Sequence, residues 1–124
     1  MIRVLPFREL NDIEVLYKKE NIELTDSSMA VIALDGKEKL GYALFSIEEG
    51  VLKLFSLSPL DDIMLCDGIL RSALHVGVEN GVTEAYFINN ELKRILNTLD
   101  FILDEEKNEI NIQKLFGSCS ECKV

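Results

Sequence analysis

Two cysteines, Cys119 and Cys122, form a Cys-x-x-Cys near the end of the chain. That spacing serves zinc half-sites and redox pairs. A structural zinc needs four ligands, and the other candidates, Cys66 and the lone His75, fall on opposite sides of one predicted helix. One chain therefore assembles no site and no metal is expected, although two copies could supply four cysteines across a dimer axis. A thioredoxin-type pair opens a helix, whereas this pair lies in a predicted tail. His75 has no Ser or Cys elbow near it, so no nucleophilic triad forms. Dinucleotide fingerprints, P-loops and His-Glu-x-x-His motifs are absent from the sequence. Acidic pairs remain. Asp61-Asp62 precedes a long helical pattern and suits an N-cap. Glu48-Glu49 sits in a predicted turn, where carboxylates are solvated unless a cleft forms beside them.

These residues must be positioned by about ten elements. Residues 2–5 predict a first strand. Residues 8–23 predict a helix, with Leu10, Ile13, Val15, Leu16 and Ile22 approximating a 3.6-residue stripe. Residues 29–34, 40–47 and 51–57 predict three strands. Asp35-Gly36 and Glu49-Gly50 mark the turns between them, giving an antiparallel meander. Residues 61–80 predict a long helix. Ile63, Leu65, Cys66, Ile69, Leu70, Ala73, Leu74, Val76 and Gly77 fall in its broad apolar arc. Gly81 stops that helix, residues 83–88 predict a strand, and a short helix follows Asn89-Asn90. Residues 101–104 and 109–116 predict a final hairpin. This order describes a mixed α/β fold, a largely antiparallel sheet with helices on both faces.

The 124 residues fit one domain, spanning 1–116 with a tail at 117–124. A chain 48% hydrophobic and 28% charged can bury a core. The net charge of −9 argues against a nucleic-acid surface, which needs clustered Lys and Arg. Apolar runs are too short for a membrane span, and the amino end is soon interrupted by charge. With no signal peptide expected and an odd count of three cysteines, the sequence predicts a cytoplasmic protein with reduced thiols.

The stretch 51–101 carries a family resemblance. Leu57-Ser58-Pro59 ends a strand, Ile69 to Leu74 forms a helix body, residues 81–88 approach a second strand, and Asn89 leads to Phe101. In order and spacing this resembles the GNAT superfamily of acyl-CoA-dependent N-acyltransferases. The resemblance implies a single GNAT-like domain. It also implies an acyl-CoA cofactor, acetyl-CoA among the options, held near Leu57, Ser58, Met64, Leu65, Cys66 and Asn89. It places the acceptor amine near Glu48 or Glu49 as general base.

Departures fall on the family's functional positions. Its Arg/Gln-x-x-Gly-x-Gly loop aligns with residues 61–66, where Asp61, Met64 and Cys66 stand at the defining positions. Glycines there let backbone N–H groups approach a pyrophosphate at a helix N-terminus. Leu96 replaces a proton-donating Tyr, and Asp100 replaces the Gly before Phe101. Two functions follow from the resemblance. One is acyl transfer from acyl-CoA to an amine. The other is a non-catalytic binding or protein-interaction module, with homodimerisation as one form.

Overall fold

The computed structural model describes residues 2–6 and 10–116, so Cys119, Cys122 and the predicted tail lie outside the described residues. The elements are β1 (Ile2–Pro6), α1 (Leu10–Lys19), β2 (Ser28–Asp35), β3 (Glu38–Glu48), β4 (Val51–Ser58), α2 (Ile63–Glu79), β5 (Glu84–Phe87), α3 (Leu92–Thr98), β6 (Ile102–Asp104), β7 (Glu109–Ile110) and a 3-10 helix, Ile112–Phe116. The seven strands form one sheet in the order β1-β2-β3-β4-β5-β7-β6. Every pairing is antiparallel except β4 with β5, where α2 makes the crossover. Glu49 and Gly50 both take positive φ, 52° and 77°, at the β3–β4 turn, which matches the twist of a tight hairpin.

Side chains alternate across this sheet with period two. Ala30, Ile32, Tyr42 and Leu44 meet Ile13, Leu16 and Tyr17 of α1 on one face. Val31, Ala33, Ala43 and Phe45 meet α2 and α3 on the other. Helices thus cover both faces, as the sequence pattern predicts. Cys66, Ile69, Leu70, Ala73, Leu74 and Gly77 of the α2 arc are buried, Leu65 and Val76 are half-buried, and Ile63, in the first turn, is 48% exposed. Tyr17, outside the predicted α1 stripe, is fully buried. Its hydroxyl lies 2.7 Å from the Met29 carbonyl and 2.8 Å from that of Phe45, two acceptors for one proton, and accepts from the Met29 N–H at 3.2 Å. Val15, inside that stripe, is 65% exposed. Among the described residues no helix is long and apolar enough to cross a membrane.

All three helices end alike. In α1 the Ile22 N–H reaches the Tyr17 carbonyl (2.9 Å) and Asn21 reaches Lys18 (3.1 Å). In α2, Val82 reaches Gly77 and Gly81 reaches Val78. In α3, Phe101 reaches Leu96 and Asp100 reaches Asn97. These are Schellman closures, and each needs a left-handed residue just past the helix. Asn21 (φ 58°), Gly81 (82°) and Asp100 (61°) supply it. Hence α1 stops at Lys19 rather than running to residue 23. The final hairpin is also shorter than predicted. Its second strand keeps only Glu109–Ile110, which inserts between β5 and β6, and the chain then coils as the 3-10 helix.

Candidate functional site

Strands β4 and β5 run together only as far as Leu54 and Phe87. The Ile88 N–H to Leu54 carbonyl bond (2.9 Å) is their last link. Strand β4 continues to Ser58, still paired with β3, while the chain after β5 turns away into α3. A bulge sits at the parting: Leu44 pairs with Ser56 and Phe45 with Leu54, leaving Phe55 as the extra residue. Bulges bend a strand and reset its alternation. Leu52 and Leu54 face α2, and after the bulge Leu57 does too. Ser56 is thereby carried to the α1 face, where its hydroxyl donates to Glu20 Oε1 at 2.5 Å.

A cleft of about 1100 Å³ opens at this parting. Its walls include Glu20, Tyr42, residues 55–58 of β4, Ile88, Asn89 and Glu91. The Schellman turn at Asn21 delivers Glu20, half-buried, to one wall. Tyr42 is 8% exposed and pairs directly with Ser58 across the strands. Burial first, and then the neighbouring Glu20 carboxylate, push the Tyr42 hydroxyl above its ordinary pKa, while Ser58 pulls the other way. Lys19 Nζ lies 5.7 Å from the Tyr42 ring centre. Opposite Glu20, Asn89 Oδ1 accepts the Glu91 N–H at 3.0 Å and sets the turn into α3. The cleft therefore joins a strand edge, left without a strand partner among the described residues, to a carboxylate backed by hydroxyls.

A second groove, about 600 Å³, continues between the start of α2 and α3. Leu60, Asp61 and Ile63 line one side, and Glu91, Arg94, Ile95 and Thr98 the other. Leu60 and Glu91 belong to both spaces. At the start of α2, Asp62 is the N-cap, its Oδ1 accepting the Leu65 N–H at 3.1 Å. Cys66 is fully buried, and its thiol donates to the Pro59 carbonyl at 2.7 Å. Burial, reinforced by Asp62 and Asp61, raises that thiol to about 11. Cys66 is thus no nucleophile at neutral pH.

Of the residues singled out from sequence, Leu57, Ser58 and Asn89 come together at the cleft. Met64 and Leu65 line a different surface groove, beside Ile2, Val4 and Leu40. Met64 is 86% exposed and leaves the cleft open. Glu48 and Glu49 stand at the β3–β4 turn, where Glu48 pairs with Val51, at the far end of β4 from Ser58. Leu96 is sealed in the core. His75 lies on the exposed side of α2, 3.3 Å from Glu79. The sequence reading missed Glu20 and Ser56. The visible signal for Ser56 was the broken alternation Leu54-Phe55-Ser56-Leu57, and for Glu20 the Asn that follows it.

No family profile matches the sequence, and no curated protein matches it. Solved structures do match the fold. The ribosomal-protein-S18-alanine N-acetyltransferase from Escherichia coli superposes with TM-score 0.60 at 11% identity, over 88% of each chain. An aminoglycoside N-acetyltransferase in complex with CoA gives 0.61 at 14% identity, over 85% of this chain and 90% of that one. A GNAT-family acetyltransferase from Streptococcus pneumoniae TIGR4 gives 0.53 at 16% identity, over 81% and 84%. The protein has the GNAT fold.

Proposed function

We propose that this chain is a GNAT-fold acyltransferase that takes an acyl thioester along the β4 edge and passes the acyl group to an amine beside Glu20. The observation behind this reading is the parting of β4 from β5 next to that carboxylate. An amide-bearing thiol arm can dock on a strand edge through backbone hydrogen bonds, with no particular side chain required. Acyl-CoA carries such an arm, but its diphosphate end would meet Asp61 and Asp62 and does not fit the start of α2. The chemistry is a direct transfer. The amine nitrogen attacks the thioester carbonyl, a C–N bond forms and the C–S bond breaks. Glu20 takes the proton lost by the amine. Tyr42 returns one to the departing thiolate and recovers it from water.

The test is thiol release from acetyl thioesters of CoA and of pantetheine against a panel of primary amines. Wild type should turn over with at least one amine. Glu20→Gln keeps the link to Ser56 and should lower kcat/KM by roughly 10²–10⁴-fold, the usual worth of a general base. Saturable thioester binding without turnover would leave the non-catalytic module, a reading favoured by the burial of Leu96 where the family places an acid. No binding of either thioester would sink the thioester reading.

A further inference from the structure

The donor's far end can be read from the start of α2, given the thioester reading above. A linear arm in the cleft has the groove between α2 and α3 as its continuation, since Leu60 and Glu91 line both. That exit carries two carboxylates, Asp61 and Glu91, against one guanidinium, Arg94. Asp61 also lines the groove on the other side of the α2 terminus, together with Asp62. The Leu65 N–H, which an incoming anion would need, is already bound by Asp62 Oδ1. The Cys66 N–H is committed to the Asp62 carbonyl at 2.9 Å. Side chains rather than glycines stand at Met64 and Cys66, and the Cys66 thiol fills the space beneath the Pro59 carbonyl. Asp61 and Asp62 also help push that thiol above its ordinary range, so their field reaches into the first turn.

A helix start ordinarily favours anions. Here Asp62 Oδ1 already holds the Leu65 N–H, and Asp61 adds a second carboxylate beside it. A diphosphate entering between Asp61 and Asp62 would face like charges within a few ångströms, on a chain already at −9. We propose that Asp61 and Asp62 select against phosphorylated donors, and that the thioester this cleft accepts is carried on a neutral, amide-bearing thiol of the pantetheine type.

Calorimetry on the full chain tests this with S-acetyl-pantetheine and acetyl-CoA at low and high salt. The neutral thioester should bind at least as tightly as acetyl-CoA. Added salt should strengthen acetyl-CoA binding by screening repulsion, and leave the neutral ligand unchanged. The variant Asp61→Asn/Asp62→Asn keeps a competent N-cap, because Asn caps as well as Asp. It should tighten acetyl-CoA by about tenfold or more and change pantetheine binding by less than about twofold, as expected when like charges are removed beside an anion. Acetyl-CoA binding at least tenfold tighter than pantetheine in wild type, or a ratio indifferent to the two substitutions, overturns the inference and leaves the thioester reading standing. Failure of both ligands in folded wild type and variant overturns the thioester reading and this inference with it.

Discussion

Glu20 owes its place at the cleft to its neighbour. Asn21 adopts φ 58°, closes α1, and aims the preceding carboxylate at Ser56. Asp100 has the same job after α3 at φ 61°, where the GNAT pattern has glycine. Left-handed backbone strains any side chain, and Asp tolerates it less well than Gly. Asp100→Gly should therefore raise stability by up to about 1 kcal/mol, net of the entropy glycine gains in the unfolded chain. Urea denaturation measures it. The Lys114 contact to Asp100, at 3.7 Å with the carboxylate almost fully exposed, offsets little. A loss of stability would mean that the Asp100 side chain contributes more than its geometry shows.

At the scale of elements, the parting of β4 from β5 depends on how tightly β3 holds the end of β4. Gly41 makes that possible. A Cβ there would run into the Ser58 carbonyl and come within 2.8 Å of Pro59 Cδ and 2.9 Å of Ile69 Cδ1. The carbonyl cannot yield without moving the strand end. Gly41→Ala should cost about 1–3 kcal/mol, the usual penalty for overpacking, and should weaken thioester binding as Ser58 shifts. Thermal melts and calorimetry on the same sample separate the two effects. Unchanged binding in a destabilised variant would show that the strand end is not part of the ligand site. Gly77 is also tight, but its nearest obstacle is the flexible Leu52 side chain at 2.8 Å, so the equivalent change there is milder.

Over the whole molecule, proton linkage has one direction at high pH. Burial raises Tyr17 from 10.0 to about 12, against the pull of its hydrogen bonds, and Cys66 rises from 9.0 to about 11. Tyr42 shifts upward as well, again led by burial. Each group holds its proton more tightly when folded. Its contribution is therefore complete below the unfolded value and is lost as pH climbs through the folded one. Stability should decline from about pH 9 to about pH 12, by roughly 2–3 kcal/mol each for Tyr17 and Cys66. Denaturation at stepped pH checks this. A stability constant from pH 8 to 12 would mean that these groups titrate as in the unfolded chain.

Hydrophobic spacing, with the turn signals Asp35-Gly36 and Glu49-Gly50, determined the element order, the two-faced sheet and the deeply buried α2, because burial periodicity and turn chemistry are written along the chain. The capping role of Asp62 was legible too, since an N-cap is a local arrangement. Gly81 announced its helix end, while Asn21 and Asp100 did not, because Asn and Asp also serve inside turns and on surfaces. Tertiary structure alone decided the site. A bulge at Phe55 turns Ser56 and Ser58 to the α1 face, and period-two alternation cannot foresee its own interruption. Glu20 and Ser56 stand 36 residues apart in sequence yet share a hydrogen bond, and Glu48 is carried to the far end of the same strand pair. Register and strand divergence set those distances, and both are properties of paired strands that no single segment contains.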